Sequence, residues 1–156
     1  MRMMSKNLNS DITKLITRYL SIREHSRLEL KNKLTDKGYH PKDISEAIDE
    51  FSLKDIQSDI RFTEEFIRSR LKKNKGPRLI AAELTARGIS DNTVTKKLSE
   101  VPDDQWLNHT VDALSKKLKS SAITINDKVK IYSFLTSRGF ENKMIKYAID
   151  ECQNEC

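Results

Sequence analysis

Glycine is scarce in this sequence: Gly38, Gly76, Gly88 and Gly139 are the only four in 156 residues. None stands close to another, so the glycine-rich loops that cradle phosphates in Walker-type and dinucleotide-binding sites are excluded. There are only two cysteines, Cys152 and Cys156, four positions apart, where a bridge would close almost no loop and staple nothing. His25, His40 and His109 are scattered without finger-like spacing, so no metal site is predicted and the thiols read as structural or incidental. Nowhere do about 18 apolar residues run together, and no apolar stretch follows Met1-Arg2-Met3-Met4-Ser5-Lys6-Asn7. The expectation is a cytoplasmic protein with neither a membrane span nor a signal peptide. Strand-like alternation is also missing, Ile123-Thr124-Ile125 being too brief to count, so the chain reads as all-α. Serines and carboxylates are plentiful, but no nucleophile, base and orienting group can be assigned from their spacing. A protein without catalysis or cofactor is expected.

Charge, by contrast, is abundant. Charged residues make up 33% of the chain and hydrophobic ones 37%, and 29 Lys and Arg against 23 Asp and Glu leave a net charge of +6. A pI near 9.3 favours polyanions or acidic protein surfaces as partners. The length suits one domain or a few small ones.

A short phrase recurs three times: Leu34-Thr35-Asp36-Lys37-Gly38-Tyr39, Leu84-Thr85-Ala86-Arg87-Gly88-Ile89 and Leu135-Thr136-Ser137-Arg138-Gly139-Phe140. Its glycines lie 50 and 51 residues apart. Eight and four residues before each glycine stand Leu30 and Leu34, Ile80 and Leu84, Ile131 and Leu135, the spacing of a buried helical stripe. Twelve before it come Ser26, Gly76 and Asp127, all acceptable N-caps. Ser26 is followed by Glu29 in a capping-box pattern, and Gly76 by Pro77, whose fixed φ suits a first helical turn. Lys37, Arg87 and Arg138 complement the negative end of these middle helices, and Gly38, Gly88 and Gly139 supply the left-handed residue that ends them. Middle helices of about 11 residues follow from these limits.

Apolar stripes flank each one. Upstream lie Leu15, Ile16, Tyr19 and Leu20, then Phe62, Phe66, Ile67 and Leu71, then Leu107, Val111, Leu114 and Leu118. Downstream lie Ile44 and Ile48, Val94 and Leu98, Ile145 and Ile149. The reading is three tandem three-helix repeats, at residues 8–54, 55–102 and 103–152, with Pro102 stopping the helix before the last. Tyr19, Tyr39, Tyr132 and Tyr147 read as core or inter-repeat contacts, Trp106 as an anchor between repeats, and His25 as a surface or boundary residue.

Three segments of this pattern resemble the RecX regulatory proteins, which modulate the bacterial recombinase RecA. They are Ile22-Arg23-Glu24-His25-Ser26 through Leu34; Asp59 through Phe62, Phe66-Ile67-Arg68-Ser69-Arg70 and Gly76-Pro77 to Ile89; and Asp127 through Phe140. The resemblance extends over residues 12 to 151, beyond these segments on both sides. One departure is that Ser52 through Asp59 lacks the family's usual glycine-containing lead-in. The resemblance implies an elongated, curved array of three modules. It implies binding along the groove of the RecA filament on DNA, inhibition of recombinase, ATPase and coprotease activities, and a weak DNA affinity that is not sequence-specific.

The sharpest electrostatic feature is residues 68–78, where Arg68, Arg70, Lys72, Lys73, Lys75 and Arg78 place six positive charges without one acid. Arg61, Arg68, Lys72 and Lys75, at offsets 0, 7, 11 and 14, can share one helix stripe. These seven are the candidate partner- or DNA-binding residues; Lys37, Arg87 and Arg138 are weaker candidates. Gly38, Gly88, Gly139, Ser26, Gly76 and Pro77 are assigned structural roles. The bland alternative is a solvated helix end whose cations merely suit its dipole. The competing functional reading is a stand-alone DNA-binding protein built from helix-turn-helix-like modules. The third helices, however, begin Pro41-Lys42-Asp43, Ser90-Asp91-Asn92 and Glu141-Asn142-Lys143, a mixed set whose acids would repel phosphate. A free array of this kind needs no self-association, so a monomer is expected.

Overall fold

A computed structural model describes residues 2–154, with side chains from residue 10 onward, so Cys156 lies outside the described residues. Those residues form nine α-helices and no strand: α1 (Arg2–Ile22), α2 (Arg27–Asp36), α3 (Pro41–Leu53), α4 (Asp59–Lys72), α5 (Pro77–Ala86), α6 (Asp91–Ser99), α7 (Asp103–Ser120), α8 (Lys128–Ser137) and α9 (Asn142–Asn154). None is long and apolar enough to cross a membrane.

The helices α2, α5 and α8 are each 10 residues long, and a glycine at φ 93°, 82° and 96° follows the cap of each. After α2 the Gly38 N–H donates to the Thr35 carbonyl at 2.9 Å and the Tyr39 N–H to the Leu34 carbonyl at 3.3 Å. Gly139 and Phe140 repeat this pair on Thr136 and Leu135, so two orphan carbonyls are satisfied at each end. Where the lead-in to α4 lacks glycine, Asp55 takes the left-handed conformation instead, at φ 59°.

Helix starts differ more than the shared pattern suggested. Ser26 forms a full capping box with Glu29. Asp127 caps nothing with its side chain: its carboxylate is occupied by the Thr124 N–H at 2.9 Å. The carboxyl of Glu29 loses solvation by burial, but hydrogen bonds from Arg23 and the Ser26 backbone outweigh this and hold it below the usual carboxylate range.

The chain forms two compact units, Met1–Glu65 with Ala86–Ser90, and Phe66–Thr85 with Asp91–Cys156. In the first, α1, α2 and α3 close over Ile12, Ile16, Leu30, Leu34, Ile44, Ala47, Ile48 and Phe51. A polar lock sits beside this core. Gln57 is 2% exposed, donates to the His25 carbonyl and the Asp59 carboxylate, and accepts from the Ser52 hydroxyl. His25 is not the surface residue that its neighbourhood in sequence suggested. It is 2% exposed, tilted against the Tyr19 ring at 5.8 Å, and within 2.7 Å of Lys33 Nζ. Burial pushes its pKa down, so the neutral imidazole is favoured.

In the second unit, α7, α8 and α9 pack together around Leu114, Ile131, Leu135, Phe140, Ile145 and Ala148. The buried stripe of α7 is Trp106, Thr110, Ala113 and Leu114, rotated from the expected one, since Leu107, Val111 and Leu118 are only half-buried. The large indole drives the rotation: burying Trp106 removes more apolar area from water than burying Leu107 would. Tyr147 faces solvent instead of a core.

Candidate functional site

The basic run at 68–78 is not one surface. Helix α4 ends at Lys72 because Asn74 turns left-handed, at φ 53°, with its N–H on the Leu71 carbonyl and the Lys75 N–H on the Arg70 carbonyl. Lys75 therefore lies beyond the helix and off the stripe expected to join it to Arg61, Arg68 and Lys72. The run breaks into the last turns of α4, a corner, and the start of α5, where Arg78 is exposed.

Two members are bound to acids. Arg70 sits 3.0 Å from Glu83 and 4.2 Å from the centroid of Phe66, with 18% of its side chain exposed. Arg61 bonds Glu24 at 3.0 Å, Asp55 at 3.1 Å and the carbonyls of Asp55 and Ile56. The Glu24 hydrogen bond, joined by attraction to Asp55, raises the pKa of this guanidinium. Arg68, Lys72 and Lys73 point to solvent.

The corner is pinned by glycine. The Gly76 N–H donates to the Arg138 carbonyl at 2.7 Å, and the Arg78 N–H to the Gly139 carbonyl at 3.0 Å. Backbone lies directly on backbone here: a Cβ at Gly76 would stand 2.4 Å from the Gly139 carbonyl carbon, and one at Gly139 would stand 2.4 Å from the Leu79 nitrogen. No side chain fits either place. This contact holds the end of α8 against the start of α5, and with it close to the end of α4, more than 60 residues away in sequence.

Between them opens a hollow of about 250 Å³. Lys72 and Lys73 come from the end of α4, Lys116 and Lys117 from α7, and Arg138 from the cap of α8, with Phe134 in the wall. No acid lines it, and none of the five cations joins an ion pair among the described residues. Lys117 Nζ lies 4.8 Å from the Phe134 centroid and the Arg138 guanidinium carbon 5.3 Å, so the ring steadies both without cancelling their charge. Asn74, buried, meets His109 at 3.0 Å and fixes the corner.

Sequence reasoning did not associate Lys116 and Lys117 with the run. Residues 102–156 carry eight basic and eight acidic residues, a balance that hides a local surplus. Their signal was adjacency on α7 without an acid between them. Lys37 is exposed, and beside it Gly38 has nothing within 4 Å of where a Cβ would sit. Arg87 lies 4.0 Å from Glu29. No cluster of three or more His, Cys, Asp or Glu able to hold a metal ion exists among the described residues.

Comparison with known proteins bears on what this arrangement serves. Residues 17–51 match the first three-helix domain of RecX and residues 58–98 the second. A regulatory protein RecX of Chromohalobacter salexigens is 38% identical over 133 residues, covering 85% of this chain and 86% of that protein. The Legionella pneumophila (strain Corby) regulatory protein RecX is 33% identical over 138 residues, with 88% and 91% covered. The crystal structure of RecX from Lactobacillus salivarius superposes with a TM-score of 0.79 at 27% identity, covering 94% of this chain and 97% of that one.

Proposed function

The chain belongs to the RecX family, and from this premise we propose that it binds the recombinase RecA and its filament on DNA and inhibits the recombinase, ATPase and coprotease activities. Docking in the filament groove is steric and electrostatic, and no catalysis or cofactor is involved. The protein acts in the cytoplasm as a monomer built of three three-helix repeats, at residues 8–54, 55–102 and 103–152.

The observation that carries this reading is the surplus, on the second unit, of cations that join no ion pair among the described residues. Arg68, Lys72, Lys73 and Arg78 face solvent, and Lys116, Lys117 and Arg138 join Lys72 and Lys73 around a hollow with no acid among its lining residues. A polyanionic filament presents a complementary potential, which both steers association and fixes its register. Of the seven residues assigned to this contact from sequence, Arg61 and Arg70 act at one remove, through the acids that hold them. The repeat boundaries gain support from a recurring contact: the start of α2 meets the end of α5, and the start of α5 meets the end of α8.

The test is DNA-dependent ATP hydrolysis by RecA, titrated with the wild-type chain and with an Arg68→Glu, Lys72→Glu, Lys73→Glu variant. Inhibition by the wild type, with at least about tenfold more variant needed for the same effect, is expected, because reversing rim charges turns attraction into repulsion. Tight binding to naked DNA together with an unaffected recombinase would instead favour the stand-alone DNA-binding protein.

A further inference from the structure

Resting on that reading, we propose that copies of this chain docked side by side on one filament join head to tail, the start of α8 in one copy receiving the end of α2 from the next.

The described residues carry three middle-helix starts and three glycine-ended middle helices, and the fold joins two of each. The start of α2 meets the end of α5: Ser26 bonds the Arg87 carbonyl, and Leu28 stands 2.7 Å from where a Gly88 Cβ would sit. The start of α5 meets the end of α8, with the Arg78 N–H on the Gly139 carbonyl at 3.0 Å. One start, that of α8, and one end, that of α2, are left over.

The leftovers match what the joint requires. Val129 holds on α8 the place that Leu28 holds on α2 and Arg78 on α5, ten residues before the glycine in each repeat. It is 85% exposed, and its N–H meets no acceptor among the described residues. On α2, Gly38 keeps φ 93° with nothing within 4 Å of where a Cβ would sit, and its carbonyl accepts no hydrogen bond among the described residues. Val129 would lie on Gly38 as Leu28 lies on Gly88, and its N–H would reach the Gly38 carbonyl as that of Arg78 reaches Gly139. The two joints already made also frame like grooves. Leu28, Ile44 and Ile48 line one beside Gly88, and Arg78, Val94 and Leu98, each 50 residues on, line the other beside Glu141 and Met144. The occupant that the α8 start is shaped for is therefore a glycine-ended middle helix. Since α2 has the free one, the partner is a second copy.

Charge agrees with this pairing. Lys128 and Lys130 are exposed in the first turn of α8, which holds no acid, and the positive helix start disfavours them there. The end of α2 brings carbonyls carrying about half a negative charge, with Asp36 offsetting Lys37. Docking one on the other relieves the repulsion at α8.

The joint is too small to hold two free chains together. The Asp127 N–H, counterpart of the Gly76 N–H, is already on the Thr124 carbonyl at 3.0 Å, so one of the two backbone bonds of the α5 joint has no equivalent. One helix start on one helix end falls well short of the roughly 1,200 Å² that stable pairs bury, and the free chain stays a monomer. Copies held on one polymer meet at a local concentration of about 1 mM, where a weak contact closes. A head-to-tail contact is heterologous, so along a linear track it extends from copy to copy.

The experiment is chemical cross-linking with a short bis-maleimide in a Cys152→Ala/Cys156→Ala background. Lys37→Cys, Val129→Cys and the control Asp150→Cys are made singly, all three at exposed positions. Variants are treated alone and in pairs, on RecA filaments and free at about 1 mM, and dimer is read on a denaturing gel. In both settings Lys37→Cys mixed with Val129→Cys should give at least about tenfold more dimer than either alone or than Val129→Cys with Asp150→Cys. Equal dimer in the control pair would overturn the joint in favour of crowding, and equal dimer from Val129→Cys alone would replace it with a face-to-face contact. Dimer in the free mixture but not on filaments that the chain still inhibits would refute the joining of docked copies. Failure to inhibit RecA in the background protein and the wild type alike would remove the functional reading, and with it the joining on filaments. The free mixture would then decide the joint between copies by itself.

Discussion

Two corners of the molecule perform the same task with different chemistry. In the first unit, Ser26 at the start of α2 reaches the end of α5 through its side chain, the hydroxyl donating to the Arg87 carbonyl at 2.8 Å. In the second, Gly76 at the start of α5 reaches the end of α8 through its backbone N–H, at 2.7 Å from the Arg138 carbonyl. Ser26 and Gly76 stand 12 residues before their respective glycines, and Arg87 and Arg138 one residue before, so the contact is the same joint used twice. Their arginines then part ways. Arg87 turns toward Glu29, while Arg138 lies against Phe134 and joins no ion pair among the described residues. Arg23, Arg27 and Arg61 in the first unit are likewise matched by acids. One joint spends its charge on internal cohesion and the other keeps it available, so the electrostatic surplus resides in the second unit although both share one geometry.

Breaking the tighter joint should cost most. Gly76→Ala forces a Cβ into the Gly139 backbone, which cannot yield as a flexible side chain would, and a loss of about 3 kcal/mol is expected in denaturant unfolding of the full chain. Ser26→Ala should cost about 2 kcal/mol, one part for the lost cap and one for the Arg87 carbonyl left unpaired. A reversed order would mean that the backbone contact is softer than its geometry implies.

Acid should weaken the first unit in two stages. His25 has a folded pKa below its ordinary 6.5, so the unfolded chain binds the proton more readily; stability is complete above 6.5 and declines as pH falls through the folded value. Glu29, held below its ordinary 4.5, adds stability that is complete above 4.5 and is lost at still lower pH. Glu29→Gln should remove the lower stage, cost about 1 kcal/mol at neutral pH and lower the His25 pKa further, because the Glu29 charge supports the His25 imidazolium. A stability–pH curve in which the lower stage persists in that variant would refute the Glu29 assignment.

The smallest effect contrasts the two arginines directly. Arg138→Gln should weaken oligonucleotide binding about fivefold, about 1 kcal/mol, whereas Arg87→Gln should leave it unchanged. Equal effects would dissolve the distinction between the corners.

Much of this architecture was legible from periodicity. The stripes Leu30–Leu34, Ile80–Leu84 and Ile131–Leu135 are all buried, and the middle helices lie within one residue of their expected length. These features depend on neighbours three and four positions away, which one-dimensional spacing records. The burial of His25 was not legible, because it depends on the Tyr19 ring and on Gln57, 32 residues away, donating to its carbonyl. The fate of the basic run was only half visible. Its six charges are plain in the sequence, but Glu83 claiming Arg70 and Asn74 ending α4 both depend on the folded path of the chain.

Local order in this protein is therefore written along the chain: helices, caps and left-handed glycine ends follow from side-chain shape and backbone sterics acting over a few residues. Which cations remain unpaired is not. That outcome required α4, α7 and α8 to bring their ends to one place, because Coulomb attraction depends on distance through space, and the folded chain alone sets how far Lys72, Lys117 and Arg138 lie from one another and from the nearest acid.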